Sequence, residues 1–302
     1  MRSHLARLAV LGAFAVFVSA CSSGKDSSLP LAGPPNNNGG SIANFQSGAN
    51  GTALIRFVQG SPDVGQVDVC IDQTPATGLQ ISSTPTTISR LPFKGSGLIA
   101  ATGGIPHVIS VYGPLGGGEC PTAPGPFNGT APIAFTTVTA AVSTRMLVAL
   151  GGRAGKNLGL YVFNSPIFAN TPTGPEAIGY NDAPSFGNVA FGTRPTATGV
   201  PTPIPGLTNV APPTKPATPT VVPSPIPSGI AASLPSVPGA FYVAAAATPA
   251  VPITTVAVPT VSTVSGFPTP GQAYVVDLIA VDSATAPVDL VLVTEATTGF
   301  GF

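Results

Sequence analysis

The sequence predicts an all-β protein made of tandem antiparallel β-sandwich modules. Its 302 residues include 36 Gly and 36 Pro, a density that divides a chain into short segments and favours strands and turns over long helices. Short runs rich in Val, Ile, Phe and Thr recur between these breaks, as expected of strands. Some of these runs alternate apolar and polar residues, which is the period of a half-buried strand.

The N-terminal residues predict export. Arg2 and Arg7 precede an apolar run from Leu8 to Val18. A helix needs about 20 residues to cross a bilayer, so this run is too short to span one. A basic start and a short apolar run are typical of a secretory signal peptide.

The end of the apolar run indicates a lipid anchor. Val18-Ser19-Ala20 leads directly into Cys21, which resembles the lipobox of bacterial lipoproteins. The resemblance implies that residues 1–20 are removed and that Cys21 carries acyl chains, which anchor a protein firmly when more than one is present. The alternative is a fortuitous cysteine beside an ordinary signal. Ser22 is not the Asp that retains many lipoproteins in the inner membrane, so the outer membrane is the expected address if the host has one.

Residues 21–51 are predicted to be a flexible tether. The stretch "SSGKDSSLPLAGPPNNNGG" has little apolar content and cannot bury enough surface to fold. About 30 residues of this kind would hold the folded part roughly 30 Å from the membrane.

Composition limits the partners. Charged residues make up 7% of the chain, against roughly 25% in an ordinary soluble domain. Without Arg2 and Arg7, nine basic and eleven acidic residues remain, a net charge of −2. This excludes a basic nucleic-acid footprint and a polybasic lipid-binding face. The expected partners are the membrane, through the lipidated cysteine, and an envelope protein or polysaccharide.

The first strands are readable from residue 53 onwards. Leu54 to Val58 form a β-rich run, and Ser61-Pro62-Asp63 supplies turn chemistry. From Val67 to Asp72, apolar and polar residues alternate. Five further runs follow at sandwich-like spacing: "TTISRLPF", "HVISVYG", "IAFTTV", "RMLVALGG" and "LGLYVFNS".

These motifs carry a family resemblance. The stretch "RFVQGSPDVGQVDVCID", followed by "LPFKG" and "GGIPHVISVY", resembles the domain of unknown function 4397 family over about residues 52 to 166. The departures are Gly60 before the Ser-Pro-Asp turn and Cys70 where an aromatic residue is common. The resemblance implies immunoglobulin-like β-sandwich modules of secreted and surface-attached microbial proteins, often in tandem and without an established activity. We therefore expect a first module at residues 52–168.

A second, degenerate copy is expected at residues 186–298. The run "AYVVDLIAVDSATAPVDLVLVTE" matches "RMLVALGGRAGKNLGLYVFNS", because both are a strand, a short polar turn and a strand. "GNVAFGTRP" weakly matches "ALIRFVQGSP", whereas the Ser-Pro-Asp signature is missing from the second half.

A proline-rich segment, residues 195–228, interrupts the second module. It holds eleven prolines in 34 residues, and proline lacks the amide hydrogen that a sheet needs. We expect a weakly ordered, partly polyproline-II segment that forms no strand. It would be a spacer between domains or a loop projecting from the second module.

Cys70 and Cys120 are the cysteines left after lipidation of Cys21. Disulfides persist in exported proteins, so we expect these two to be bonded, with two free thiols as the alternative. Closing a loop of about 50 residues would stabilise the module by about 4 kcal/mol.

The sequence predicts neither an enzyme nor a cofactor or metal site. His107 is the only histidine outside the signal, and we expect it at the rim, bonded to backbone or water. Asp68 and Asp72 would lie about 13 Å apart on a strand, too far for one calcium ion, and Asp63 suffices as a turn former. The alternatives are a loop-based hydrolase around Asp63 and Arg56, or a purely structural matrix component. A sugar-binding surface would need tyrosine rings for stacking; the five candidates are Tyr112, Tyr161, Tyr180, Tyr242 and Tyr274.

The anchor is tested by Cys21→Ser. This variant should lose labelling by a palmitate analogue and should accumulate as uncut precursor, because the modified thiol is what the lipoprotein peptidase recognises. Ser22→Ala is the control and should still be labelled. Unchanged detergent partitioning of Cys21→Ser would contradict the prediction.

Overall fold

The structure is a computed structural model that describes residues 52–71, 86–115, 120–121, 130–142, 144–165, 175–214, 225–236, 238–258 and 274–296. Within these ranges the chain forms sixteen β-strands and no helix, so the all-β prediction is confirmed. None of the described residues forms a helix that could cross a membrane. The predicted signal peptide, Cys21 and the tether lie outside the described residues.

The first eight strands, which we call repeat 1, form two four-stranded sheets. The inner sheet has the order β4-β1-β7-β8 and the outer sheet the order β3-β2-β5-β6. In each sheet all neighbouring strands are antiparallel except β1 and β7, which are parallel. The strands are β1 (Thr52–Gln59), β2 (Val67–Ile71), β3 (Thr86–Leu91), β4 (Ser96–Thr102), β5 (Pro106–Tyr112), β6 (Ala134–Thr139), β7 (Arg145–Gly151) and β8 (Gly159–Asn164).

The next eight strands, repeat 2, have the same topology. The inner sheet has the order β12-β9-β15-β16, with β9 and β15 parallel, and the outer sheet the order β11-β10-β13-β14. The repeat begins with β9, ten residues before the boundary predicted at 186. The strands are β9 (Glu176–Asp182), β10 (Val189–Arg194), β11 (Thr202–Pro203), β12 (Ile230–Ser233), β13 (Ala240–Ala245), β14 (Pro252–Ala257), β15 (Tyr274–Asp282) and β16 (Val288–Ala296).

The four sheets stack as four layers, with three apolar cores between them. One core lies within each repeat, between its outer and inner sheets. The third, which we call the inter-repeat interface, joins the two inner sheets. Its buried members are Val58, Leu147, Ala149, Tyr161 and Phe163 of repeat 1 and Ile178, Tyr180, Val275, Ile279, Val281, Val291 and Val293 of repeat 2.

The burial pattern of each strand follows from its layer. Successive side chains of a strand point to opposite faces, so Ile55 and Phe57 of β1 pack in the core of repeat 1 while Val58 packs in the inter-repeat interface. The central strands of the inner sheets are therefore buried on both faces, and β7 is buried throughout, whereas β12 at the edge of an inner sheet is largely exposed. In contrast, β6 at the end of an outer sheet alternates buried and exposed residues towards its end.

The register corrects one sequence match between the repeats. Gln59 of β1 is paired with Leu150 of β7, and Asn181 of β9 is paired with Ala280 of β15. The counterpart of β1 is thus β9, and matching "GNVAFGTRP" with β1 was wrong, because that run forms β10, the counterpart of β2. The match between the β7–β8 and β15–β16 hairpins is confirmed by the sheet orders.

The turn after β1 also recurs in repeat 2, where different residue types form it. In repeat 1, the backbone N–H of Ser61 donates to Oε1 of Gln59, and Nε2 of Gln59 donates to the carbonyls of Val64 and Gly65. In repeat 2, the N–H of Ala183 donates to Oδ1 of Asn181 in the same way, and Asn181 Nδ2 donates to the carbonyls of Gly187 and Val210. Ala183-Pro184-Ser185 therefore stands where repeat 1 has Ser61-Pro62-Asp63.

The proline-rich segment is packed over its first part, which corrects the expectation of a weakly ordered spacer or projecting loop. Ile204, Leu207 and Val210 are buried in the core of repeat 2, and Thr202–Pro203 form the short strand β11. The prolines leave residues between them that still donate, so that Ile204 N–H bonds to Phe191 and Val210 N–H to Val189. Residues 215–224 lie outside the described residues.

Leu207→Ala tests this packing. Leu207 is 0% exposed, so its truncation should leave a cavity and lower the free energy of unfolding by about 2–5 kcal/mol. Urea unfolding measures the loss, and limited proteolysis should show faster cleavage within residues 195–214. Val200→Ala is the control, because Val200 is 78% exposed and its change should stay within about 0.5 kcal/mol. Equal effects of the two variants would contradict the packing.

Candidate functional site

Aromatic and buried polar side chains meet in the inter-repeat interface. Aromatic rings form one part of it. The rings of Phe163 and Tyr180 meet edge to face with centroids 5.7 Å apart, a favourable arrangement of aromatic quadrupoles. The hydroxyls of Ser165 and Tyr180 are 2.7 Å apart and share a hydrogen bond. The two repeats are thus held by directional contacts as well as by apolar burial.

A buried ion pair crosses this interface. Arg145 Nη2 of β7 donates to Asp277 Oδ2 of β15 at 2.9 Å, and the two side chains are only 6% and 2% exposed. A charge buried at this depth is strongly destabilising unless it is paired. The pair therefore fixes which residues of the two sheets face one another.

The interface has an approximate two-fold character. By register, Gly60 of repeat 1 corresponds to Asp182, and Gly151 corresponds to Val281. A Cβ placed on Gly60 would touch Val281 and Asp182, and a Cβ placed on Gly151 would touch Asp182. The contact of Gly60 with Val281 thus recurs as a contact of Asp182 with Gly151, which is the reciprocity of an isologous interface.

The two-fold relation is broken by charge. Arg145 and Asp277 correspond by register to Val275 and Leu147, and both of these are apolar members of the interface. A charged pair therefore stands on one side of the pseudo-axis and an apolar pair on the other.

At one end of the interface, two turns of repeat 1 are tied together. Asp63, in the turn after β1, accepts hydrogen bonds from Arg153 Nη2 at 3.3 Å and from the backbone N–H of Ala154 at 3.1 Å. The hydrogen bond from Arg153 is the main reason that the pKa of Asp63 is lowered. This exposed pair links the β1–β2 turn to the β7–β8 turn.

The corresponding turns of repeat 2 are tied by a different pair. Ser185, the counterpart of Asp63, hydrogen bonds to Asp282 at the end of β15. Burial raises the pKa of Asp282, although its hydrogen bonds with Ser185 and the charge of Arg153 act in the opposite direction. Asp282 is 1% exposed, so a carboxyl group lies buried where repeat 1 has an exposed salt bridge.

Asp182 is the most deeply buried acidic side chain among the described residues. It is 0% exposed, and neither of its carboxyl oxygens has a hydrogen-bond partner. Burial, followed by the nearby charge of Asp282, raises its pKa well above the ordinary value. Tyr161 lies in the same region, and its pKa is raised by burial and by the charges of Asp182 and Asp282. Its hydroxyl donates to the carbonyl of Asn157 at 2.5 Å.

The predicted disulfide is present. Cys70 on β2 is bonded to Cys120, with the Cα atoms 5.6 Å apart. Cys70 is buried in a small cluster with Tyr112 and Leu115 on the outward face of the outer sheet. The bond thereby fastens Cys120 against this face. Cys21, the predicted lipidation site, lies outside the described residues.

The remaining candidate residues have structural partners. Asp68 is 1% exposed and accepts the backbone N–H of Arg90 at 2.6 Å and of Leu115 at 2.5 Å. The first bond holds Arg90 at a φ of 52°, a left-handed conformation that is costly for this residue type. His107 is buried rather than at the rim, and its Nε2 lies 2.6 Å from the carbonyl oxygen of Thr102. Asp72 lies outside the described residues.

Two further candidate arrangements are not assembled. Asp63 bonds to Arg153 and not to Arg56, which is buried on β1. The tyrosine rings considered for sugar stacking are also unsuited to it, because Tyr112, Tyr161, Tyr180 and Tyr242 are all buried. The side chain of Tyr274 lies outside the described residues. Among the residues that the structure describes, no group of three or more His, Cys, Asp or Glu side chains could hold a metal ion.

No protein-family model matches the chain, and no curated protein matches it significantly.

Sequence reasoning missed the acidic residues of the interface, although a signal was available. Asp277 and Asp282 interrupt the apolar run "YVVDLIAVD" of β15. A strand that is apolar on both faces is buried on both faces, so a charge within it marks a buried ionic contact. A half-buried strand could turn only one of these aspartates to solvent, because side chains five positions apart point to opposite faces.

The ion pair is tested by a double replacement that copies its apolar counterpart. Arg145→Val alone and Asp277→Leu alone should each lower the free energy of unfolding by roughly 3–5 kcal/mol, because each leaves a buried charge without its partner. The double variant should recover most of the loss. Urea unfolding measures all three. Lys94→Gln is the control, since the Lys94–Asp289 pair at the rim is more exposed and should contribute at most about 1 kcal/mol. Additive losses in the double variant would contradict the pairing.

Proposed function

We propose that the protein is a lipid-anchored lipoprotein of the cell envelope, in which two β-sandwich repeats form a non-catalytic body. This body binds another envelope component or spaces one from the membrane. The observation that carries the proposal is the role of the few charged side chains. Three ion pairs among the described residues link parts of the fold to one another. Arg145 pairs with Asp277, Arg153 with Asp63, and Lys94 with Asp289.

The membrane side of the proposal rests on the N-terminal sequence. The signal-like run ends at Cys21 and is followed by about 30 residues of low apolar content. A tether of this composition gives the body reach without fixing its orientation. The protein would thus present its surfaces at a distance from the lipid.

The binding side rests on the shape of the body. Because the inner sheets cover one another, the outer sheets, their edges and the turns are the surfaces left for contact. Among the described residues, β6 and β14 end the outer sheets and each is paired with one neighbour only. Edge strands of this kind accept an extended segment by strand addition. The exposed Thr137 and Thr139 of β6 offer hydroxyls to a peptide or a polysaccharide.

Two alternatives from the sequence are kept as outcomes of the test. A loop-based hydrolase would centre on Asp63, which is exposed, whereas Arg56 is buried. A purely structural matrix component would have no specific ligand. Catalysis would require a positioned acid, base or nucleophile in a cleft, and Asp63 is held by Arg153.

The experiment is affinity capture from intact envelope after cross-linking. A defined partner should be enriched by both the lipidated protein and its Cys21→Ser form, because the body and not the anchor carries the binding surface. The combined Thr137→Lys and Thr139→Lys variant should reduce capture, because charge on an edge strand opposes strand addition. Ala284→Lys, in the exposed β15–β16 turn, is the control.

Three results would count against the proposal. Capture by the lipidated form only would assign binding to the anchor. Absence of any enriched partner would favour the matrix role. A turnover activity that is lost in a folded Asp63→Ala variant would identify a hydrolase.

A further inference from the structure

The carboxyl group of Asp182 lies in a place that suits only its neutral form. It sits at the end of β9 against the backbone of repeat 1. A Cβ on Gly60 would lie 2.7 Å from Asp182 Oδ2, and a Cβ on Gly151 would be closer still to the same carboxyl group. Both oxygens are buried, and neither has a hydrogen-bond partner. The group is therefore buried against the glycine main chain of repeat 1.

The charged and titratable neighbours do not compensate for ionisation. Asp282 of β15 is the charge that acts on Asp182, and it has the same sign. Tyr161 of β8 has its hydroxyl engaged with Asn157. Arg153, Asp63 and Lys156 lie in the turns of repeat 1, where Arg153 pairs with Asp63. On the side that faces repeat 1, the backbone of Gly60 and Gly151 fills the space beside the carboxyl group.

The fold itself does not require a carboxyl group at this position. The counterpart of Asp182 in repeat 1 is Gly60, at the same place in the β1–β2 turn. Repeat 1 thus forms the turn without any side chain there. Burying an ionised carboxylate without a partner is strongly unfavourable, so Asp182 weakens the interface whenever it is charged.

We propose that Asp182 is a proton-operated latch of the inter-repeat interface. When it is protonated, the inner sheets of the two repeats stay closed on one another. When it is ionised, the carboxylate favours a state in which the repeats part and water reaches it. Opening would expose the apolar faces that carry Tyr161, Phe163 and Tyr180.

The direction of the pH response follows from proton linkage. In the closed state the pKa of Asp182 is raised by burial and by Asp282, whereas in the open state it is that of an ordinary solvated carboxyl group. The closed state therefore binds more protons, and its stability is fully present below the ordinary carboxyl pKa. Stability is lost as pH rises from there to the raised pKa. The pKa of Asp282 is also raised, so its ionisation favours the open state in the same way. The pKa of Asp63 is lowered, so its protonation affects stability only at acidic pH.

The latch is tested by the accessibility of a single thiol. In full-length Cys21→Ser protein, Val291→Cys places a thiol in the inter-repeat interface, where Val291 is 3% exposed. Its rate of reaction with a methanethiosulfonate reagent, divided by the thiolate fraction, reports the open population. Between the ordinary and the raised pKa of Asp182 this rate should rise by up to about tenfold per pH unit, as expected for one linked proton. Asp182→Asn should reduce the rise to the smaller part that Asp282 contributes.

Controls separate the latch from general loosening. Val243→Cys places the thiol in the core of repeat 2 and should show no such rise. Asp182→Gly, which copies Gly60, replaces the Asn variant if the buried amide prevents folding. A flat rate for Val291→Cys, a parallel rise for Val243→Cys, or an undiminished pH response in both Asp182 variants would each overturn the proposal. A response abolished only by Asp282→Asn would assign the latch to Asp282 and overturn it as stated.

Discussion

The burial of the two inner sheets against each other is the constraint on which the rest of this structure depends. Strands β1, β7, β9 and β15 are buried on both faces, and the face turned away from the core of its own repeat packs against the other repeat. A single repeat would expose this face to water, at a cost of about 25 cal/mol for each Å² of apolar surface. The two repeats are therefore not independent modules on a string. They form one four-layered body, and residues Pro227 and Gly229 reinforce it by hydrogen bonding with Asn164 of β8.

The polar residues of the interface favour pairing of the two repeats with each other over pairing of either repeat with a copy of itself. Two copies of repeat 1 in the same arrangement would place Arg145 against Leu147 and leave a buried guanidinium without a carboxylate. Two copies of repeat 2 would set Asp277 against Val275 instead of a guanidinium, and would crowd the carboxyl group of Asp182 against a second copy of itself. Only the mixed pairing joins Arg145 with Asp277 and sets Asp182 against Gly60. The charged residues thus disfavour the wrong pairings as well as stabilising the right one, which is how specificity is commonly achieved.

Much of the fold could be predicted, because strand periodicity and turn residues are local properties of the sequence. The strand run after Leu54, the β7–β8 and β15–β16 hairpins and the Cys70–Cys120 bond followed from alternation, spacing and compartment. The inter-repeat interface could not be predicted in the same way, since a continuous apolar run does not say what covers its second face. The recurrent turn was missed because Asn181 replaces Gln59 with a shorter amide while making equivalent hydrogen bonds. The proline-rich segment was misjudged because proline removes one donor and leaves its neighbours free to bond, as Ile204 and Val210 do.

The scarcity of charged residues limits how the body can recognise a partner. With 7% charged residues, the chain cannot use ion pairs both to hold its layers together and to attract a partner over long distances. Arg145, Arg153 and Lys94 are engaged with carboxylates within the fold, so few charged side chains of the described residues, such as the exposed Arg90 and Lys156, are left for the outward surfaces. Recognition by such a surface depends on short-range hydrogen bonds and shape, and electrostatic steering contributes little to it. In the membrane-tethered arrangement that we propose, the tether would offset this limitation, because it would confine the body near its partners and raise their effective concentration.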